Sequence, residues 1–237
     1  MGSRAGGAAR GAIPARPGEI GEDGPVGPTI VFRTTSARVY AVITWAVAAV
    51  VLAALGANGG IGEVVRYGAI PLAMAVFGWA VFWRPSVEVG DDGVVLTNVL
   101  RTVEVPWGAI DRVETRWGLR LVTSRGAVNG WAAPARAGVG RARSQRRAEH
   151  LPDRLFEGTG RVRHPGDAAA VGAVVEDRRA RRAARASAGA PPHAAERAVG
   201  APDAGARGAD APQARVNTVV VVLLGGTIAL AVLAVAL

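Results

Sequence analysis

Three apolar runs without a charged side chain constrain this sequence more than any other feature. They cover residues 39–55, 67–83 and 216–237. The first two are slightly shorter than the roughly 20 residues that cross a bilayer as a helix, although uncharged Gly and Ala extend the first. Tyr and Trp side chains lie near the ends of these two runs, where they favour the headgroup region. The pattern predicts a transmembrane helical hairpin over residues 37–83 and a transmembrane helix over residues 216–237.

Arginines close to these runs indicate the orientation of the chain. They flank the outer ends of the runs, at Arg33, Arg38, Arg84, Arg207 and Arg215, whereas the connection between the first two runs holds only Glu63 and Arg66. Because positively charged loops are retained in the cytoplasm, we expect the N-terminus and the central segment to be cytoplasmic in a multi-pass protein. A cleaved signal peptide is the alternative for the first run, but the long tail before it disfavours that interpretation.

The composition indicates a bacterial source and limits the possible chemistry. The net charge of +9 comes entirely from arginine, and Arg, Ala, Gly, Pro and Val dominate the sequence. This bias is typical of a GC-rich bacterial genome, so we expect the plasma membrane as the location. Part of the basic excess then reflects codon bias and weakens an argument for nucleic-acid binding. The absence of cysteine excludes disulfides and thiolate metal sites.

The segment from residue 84 to residue 131 alternates apolar and polar residues with a period of two. Val87 and Val89 flank Glu88, and the Asp-Asp-Gly sequence at residues 91–93 is typical of a tight turn. Pro106 removes a ladder donor and ends a strand. The alternation predicts five or six short strands in a small antiparallel meander with one hydrophobic face.

The remaining segments are less regular. Residues 1–36 are rich in Gly, Ala, Pro and Arg, which predicts a disordered tail. An Arg-rich insertion at residues 134–164 is expected to be mobile, with a few apolar residues able to dock. A helix is predicted over residues 165–187, because Val171, Val174 and Val175 would share one face. Residues 188–215 are expected to form a flexible linker.

No catalytic constellation is recognisable. The glycine-rich residues 56–62 are similar to a dinucleotide-binding loop, but the preceding run is too long for a strand and no acidic residue follows at the required spacing. We interpret them as a flexible turn between two membrane helices. His150, His164 and His193 show no metal-ligand spacing. The sequence therefore predicts a protein that is not an enzyme and that binds neither a cofactor nor a metal.

The order of these features resembles the short bacterial pleckstrin-homology-domain membrane proteins of actinobacteria, a group that includes the low-molecular-weight protein antigen family. The matching residues lie within about residues 39–135 and are Arg84-Pro85, residues 92–95, Asn98, Leu100-Arg101, Val105-Pro106-Trp107, Ile110 and Trp131-Ala132. The resemblance implies membrane helices plus a small α+β module, a pleckstrin-homology-like antiparallel half-barrel with a C-terminal capping helix. The loop that is basic in phosphoinositide-binding relatives is Gly90-Asp91-Asp92-Gly93 here, and acidic side chains repel phosphate.

We therefore predict a membrane-anchored, non-enzymatic module that binds a protein partner at the cytoplasmic face. Exposed Trp and Arg side chains dominate many binding interfaces. The candidate partner contacts are accordingly Arg101, Trp107, Arg116, Trp117, Arg120 and Trp131. For Trp107 and Trp117, a place in the core of the small sheet is the favoured interpretation, because the sheet has few other large side chains.

The basic second half of the predicted helix suggests a different function, the sensing of anionic lipid headgroups. A basic residue near such a surface contributes about 1 kcal/mol. The candidate lipid contacts are Arg178, Arg179, Arg181, Arg182 and Arg185. A solvated helix face is the simpler explanation of these arginines. Non-specific nucleic-acid contact ranks third, because the basic segments lack aromatic residues on which bases stack.

Overall fold

The computed structural model describes residues 27–156, 160–189 and 211–236, which form a mixed α+β fold. Its helices are α1 (Thr35–Tyr67), α2 (Ala69–Gly78), α3 (Val139–Glu149), α4 (Ala168–Gly189) and α5 (Thr218–Ala236). Its strands are β1 (Thr29–Arg33), β2 (Ser86–Val89), β3 (Gly93–Thr97), β4 (Arg101–Pro106), β5 (Ile110–Glu114), β6 (Leu119–Thr123), β7 (Gly126–Gly130), β8 (Arg161–Pro165) and β9 (Gln213–Val216). A π-helical turn, Trp79–Trp83, extends α2.

The strands form two sheets instead of the single predicted meander. The larger sheet has the order β8-β1-β2-β3-β4-β9, and the smaller one has the order β5-β6-β7. All neighbouring strands are antiparallel except β1 and β8, which are parallel. The alternating pattern predicts the six consecutive strands β2 to β7 correctly. The division follows from Pro106, after which a 3-10 turn at Trp107–Ala109 separates β4 from β5.

Helix α4 packs against the sheets and confirms the helix predicted at residues 165–187. Val171, Val174 and Val175 are fully buried and share a core with apolar residues of both sheets. Leu96 of β3 and Leu121 of β6 belong to the same core. Asp167 accepts a hydrogen bond from the backbone N–H of Ala170, which satisfies one free donor in the first turn of α4.

The predicted N-terminal tail is too long. Residues 1–26 lie outside the described residues, but residues 29–33 form β1, with Ile30 and Phe32 fully buried. Pairing with β2 and β8 satisfies the backbone of β1 on both sides. The sequence conceals this strand, because it follows a Gly- and Pro-rich tail and its partner strands lie far along the chain.

The insertion and the linker also contain regular structure. The expected mobile loop at residues 134–164 contains α3 and β8. Leu151 and Leu155 bury their side chains in the core, as the sequence suggests for these apolar residues. Within the expected linker, residues 190–210 lie outside the described residues, while β9 extends the larger sheet beside β4. Both edge strands contain arginines and no run of apolar residues, which is why their sequences resemble loops.

Two helices of the described chain, α1 and α5, are long and apolar enough to cross a membrane. The apolar helix Ala69–Trp83 is shorter than this requirement, so the hairpin predicted at residues 37–83 has one long and one short arm. The glycine-rich segment between the arms is helical, in contrast to the predicted turn, and is kinked at Gly60, whose φ is 62°.

The apolar helices pack against one another and not against the core of the sheets. Trp45 of α1 donates a hydrogen bond from its indole Nε1 to the carbonyl oxygen of Ala75 in α2 at 3.0 Å. Gly78 of α2 allows close approach, because a Cβ atom there would lie 3.1 Å from the side chain of Thr44. Helix α5 lies against α2. Many apolar side chains on these helices stay exposed, including Val50, Leu72 and Val219.

Candidate functional site

The three apolar helices connect to one end of the larger sheet, which we call the helix-bearing end. β1 ends at Arg33, just before α1 begins, and β9 ends at Val216, just before α5 begins. β2 begins at Ser86, shortly after the π-helical turn. The strand pairing places Ser86 beside Thr97 and Val216 beside Arg101. We call the opposite end, where the β2–β3 turn lies, the far end.

Two asparagines hold the connections together at the helix-bearing end. Asn217, between β9 and α5, accepts a hydrogen bond from the hydroxyl of Thr102 at 3.0 Å and donates to the carbonyl oxygens of Asn98 and Val99. The side chain of Asn98 donates to the carbonyl oxygen of Asn129 in β7 and accepts from the backbone N–H of Trp131, which follows β7. Both sheets and the base of α5 are therefore joined through side-chain amides.

Further contacts connect the smaller sheet to the hairpin. Trp131, directly after β7, donates its indole N–H to the carbonyl oxygen of Val81 in the π-helical turn at 3.2 Å. The hydroxyl of Thr34, directly before α1, donates to the carbonyl oxygen of Ala132 at 2.6 Å. Burial lowers the pKa of Arg84, which donates to the carbonyl oxygen of Asn98. The predicted partner contact Trp131 thus fixes the module to the helices.

A groove runs between β5 and the helices α3 and α4. Its wider part has a volume of about 600 Å³. The groove continues into a second cleft of about 450 Å³. Polar and small side chains line both parts, including Thr115, Gln145 and Ala169. β5 is an edge strand of the smaller sheet, and its residues Val113 and Glu114 line the two clefts. The arginines that line the wider part are Arg116, Arg120, Arg136 and Arg141.

The arginines of the groove differ in their partners. Arg120 approaches Glu114 at 3.7 Å, and Arg136 approaches Asp167 at 3.4 Å. Within the described residues, neither Arg116 nor Arg141 has a carboxylate within salt-bridge distance. The groove therefore has an excess of positive charge toward the β5–β6 turn.

That turn, residues 115–118, presents an exposed tryptophan. The side chain of Trp117 is 84% exposed, so the interpretation that it belongs to the core is wrong. The guanidinium carbons of Arg116 and Arg141 lie 5.3 and 5.9 Å from the centre of its ring. Arg141 also donates to the carbonyl oxygen of Arg116 at 3.0 Å. Three predicted partner contacts, Arg116, Trp117 and Arg120, are brought together here, and α3 adds Arg141, which the expectation of a mobile loop concealed.

The other predicted partner contacts are dispersed. Trp107 is half-buried and packs against the core, and its indole N–H lies 2.8 Å from the carbonyl oxygen of Asp91 at the far end. Arg182 covers the ring of Trp107, with its guanidinium carbon 5.4 Å from the ring centre. Arg101 is exposed at the start of β4, on the helix-bearing end but in the other sheet from Arg116. These residues do not form one surface.

The basic half of α4 lies toward the far end. Arg178 is buried and donates to the carbonyl oxygen of Pro28, and Arg179 donates to the carbonyl oxygen of Asp111. Burial lowers the pKa of Arg178, and the neighbouring Asp91 carboxylate partly opposes this effect. Arg181 pairs with Asp177 at 2.8 Å. Several of the predicted lipid-contact arginines thus make hydrogen bonds and ion pairs within the protein, and this half of α4 lies away from the apolar helices.

Comparison of the chain with family models, curated proteins and solved structures finds no match. The function therefore has to be argued from the geometry. In the part of the chain that the structure describes, no group of three His, Asp or Glu residues is placed to hold a metal ion. His164 packs edge-on against Phe32, and His150 bonds the carbonyl oxygen of Arg146. His193 lies outside the described residues.

The arrangement at the β5–β6 turn is suited to binding anionic groups. Guanidinium groups recognise carboxylates and phosphates through paired hydrogen bonds, and an adjacent indole ring adds an amphipathic surface.

The β2–β3 turn at residues 91–93 has the opposite character: Gly90 donates to the carbonyl oxygen of Gly93, and two aspartates follow. This turn is the hairpin that its sequence predicts, and Asp92 is exposed on it.

Proposed function

We propose that this chain is a membrane-anchored, non-enzymatic binding module that receives an acidic segment of a protein partner in its basic groove. The observation that carries the proposal is the connection of three apolar helices to a single end of the larger sheet. Helices inserted in a bilayer would hold the module against one membrane face. The groove then lies beside that face, where a membrane-bound partner would be concentrated.

The proposed architecture is pleckstrin-homology-like. Four sequential antiparallel strands, β1 to β4, three further antiparallel strands, β5 to β7, and the covering helix α4 support this assignment. The helical hairpin is inserted between β1 and β2, and β8 and β9 extend the sheet at its edges. In this proposal the two sheets and α4 serve as a scaffold, and the groove supplies the binding surface.

The proposed location is a bacterial plasma membrane, with the module at the cytoplasmic face. Arginines near the helix-bearing end support this orientation, since Arg38 contacts the ring of Trp83 and Arg84 bonds the β3–β4 turn. Positive side chains at that depth favour the cytoplasmic side. The connection around Gly60 carries far fewer positive charges and would lie outside.

The choice of an acidic protein segment follows from charge and shape. The wider part of the groove is lined by four arginines and by one acidic residue, Glu114, which leaves a positive excess. An extended chain also suits an open groove along an edge strand, because it can use the backbone groups of β5. The existing ion pairs of Arg120 and Arg136 would be exchanged for pairs with partner carboxylates.

Site-specific photocrosslinking in the native membrane tests this proposal. A photoreactive side chain replaces Gln145 in the groove of the full chain, and a matched chain carries it at Arg125 in the β6–β7 turn. We expect a recurrent adduct from position 145 whose linked peptide is acidic and which Arg120→Glu abolishes. Identical adducts from both positions, or adducts that Arg120→Glu leaves intact, would contradict a groove-specific partner.

A further inference from the structure

The β5–β6 turn lies at the helix-bearing end, although it belongs to the smaller sheet. Leu119, which follows the turn, pairs with Gly130 and donates its backbone N–H to the carbonyl oxygen of Ala133. The residues between these two partners, Trp131 and Ala132, bond the α2 extension and the start of α1. Trp117 is therefore only a few residues from the contacts that join the module to both arms of the hairpin.

From this position we infer that the β5–β6 turn and Arg141 of α3 form an anchor for anionic phospholipid headgroups of the membrane that holds the helices. The anchor consists of Arg116, Trp117 and Arg141. It rests on the proposed membrane anchoring, but not on the groove having a protein partner. Its ligand is the phosphate of an anionic lipid, and its partner is therefore the bilayer surface beside the helices.

The chemistry of the three side chains matches a headgroup layer. Tryptophan is enriched at membrane interfaces because its ring is apolar and its N–H is polar. In water, an exposed arginine stacked on an exposed indole contributes little to stability. We therefore expect the cluster to be stabilised more when a third group, such as a phosphate, binds it. Within the described residues neither Arg116 nor Arg141 makes an ion pair, and one nitrogen of Arg141 bonds the carbonyl oxygen of Arg116. The remaining guanidinium donors match phosphate oxygens.

Neighbouring surfaces at the same end are compatible with contact to a bilayer. Leu100, in the β3–β4 turn, and Val216, before α5, are 56% and 70% exposed despite being apolar. Arg38 stacks on Trp83 at the base of the hairpin, with its guanidinium carbon 5.5 Å from the ring centre. The Trp117 cluster repeats this pairing of arginine and indole on the other sheet, which extends the interfacial contact beyond the helices.

The basic half of α4 is a weaker candidate for the same role. Its arginines lie toward the far end, one strand length from the apolar helices. Because a five-residue strand spans about 15 Å, this separation is on that order. Arg178 is buried, and Arg182 donates to the carbonyl oxygen of Asp91. A bilayer that contains α1 and α5 would meet the β5–β6 turn before it reaches these residues.

Hydrogen–deuterium exchange of the full chain in nanodiscs tests the anchor. One set of nanodiscs contains phosphatidylcholine alone, and the other also contains phosphatidylglycerol. The β6–β7 turn at residues 124–126 is the internal control, because it is an exposed turn of the same sheet at the far end. We expect slower exchange of the amides of residues 115–118 in the anionic nanodiscs only, with no change at residues 124–126.

Variants identify the side chains responsible. Each of Arg116→Gln and Arg141→Gln should lower the anionic-over-neutral protection about fivefold, since one basic residue near an anionic surface contributes on that order. Arg125→Gln, a change of the same charge at the far end, should leave it unchanged. Trp117→Ala should also reduce the protection in the anionic nanodiscs, and because its side chain is 84% exposed, its replacement is not expected to unfold the protein.

Several results would overturn the inference. Equal exchange of residues 115–118 in both lipid compositions would do so, as would protection that survives the double arginine replacement. The same protection from inorganic phosphate with neutral nanodiscs would assign the site to a soluble anion instead of the bilayer. A chain that fails to co-elute with nanodiscs would overturn the proposed membrane anchoring as well. Co-elution therefore distinguishes a failure of the headgroup anchor from a failure of the membrane anchoring.

Discussion

The indole Nε1 of Trp131 lies 3.2 Å from the carbonyl oxygen of Val81, and this hydrogen bond joins the smaller sheet to the hairpin. Trp131→Phe retains most of the ring but removes the donor. We expect it to lower the free energy of unfolding by about 1 kcal/mol, the usual value of one such bond. Thermal unfolding in detergent measures the loss. Trp117→Phe is the matched control, because no hydrogen bond of its ring to the helices exists in the described structure, and an equal loss there would contradict the prediction.

Arg178 should be a structural residue and not a lipid contact. Its side chain is buried and donates to the carbonyl oxygen of Pro28, so Arg178→Ala leaves a cavity and an unpaired carbonyl group. We expect a loss of about 2–3 kcal/mol in the free energy of unfolding, measured by chemical denaturation. Arg178→Met should recover part of it by filling the space, whereas exposed Arg125→Ala should change little. A fully stable Arg178→Ala protein with weaker binding to anionic vesicles would support the lipid role instead.

Gly93 at the start of β3 should not tolerate a side chain. Its φ is 157°, and a Cβ atom would lie 2.2 Å from the carbonyl oxygen of Val105 in the neighbouring strand. Gly93→Ala should destabilise the protein by about 2–4 kcal/mol, because backbone atoms of a paired strand cannot move aside. Gly126→Ala separates the two causes: its φ is 124°, but nothing lies near the added atom. It should cost only about 1 kcal/mol, and similar losses at both positions would contradict the steric explanation.

The absence of cysteine makes the orientation directly measurable. Asn58→Cys places a thiol in the connection between the arms of the hairpin, and Asp92→Cys places one in the exposed β2–β3 turn. With a membrane-impermeant thiol reagent, intact cells should label position 58 and not position 92. Both positions should react after permeabilisation. Labelling of position 92 in intact cells would place the module outside and contradict the proposed cytoplasmic orientation.

The sequence predicts the elements whose residues repeat with a clear period. The strands β2 to β7 follow from alternation, and the helix α4 follows from Val171, Val174 and Val175, because each pattern extends over several residues. β1, β8 and β9 are missed, since each pairs with a strand that is distant in the sequence and lies beside a segment without a clear alternation. Long-range pairing of this kind leaves no local pattern.

The candidate site is predicted in part for the same reason. Arg116, Trp117 and Arg120 are close in sequence, so their proximity needs only a hairpin. Arg141 joins them because α3 folds back onto the β5–β6 turn, which no local pattern indicates. The exposure of Trp117 also escapes sequence analysis, because its alternation with neighbours matches a strand that in fact ends at Glu114. Composition identifies arginines but does not distinguish buried Arg178 from exposed ones.

The position of the hairpin between β1 and β2 imposes an order on the biosynthesis of the protein. β1 leaves the ribosome before the hairpin, yet it pairs with β2 only after both arms have brought Val87 back beside Phe32. The outer edge of β4 stays unpaired for longer, because its partner β9 is translated more than one hundred residues later. An unpaired strand edge is a template for other chains. During synthesis, this module is therefore most vulnerable to misassembly along β4, and arrival of residues 213–216 ends that exposure.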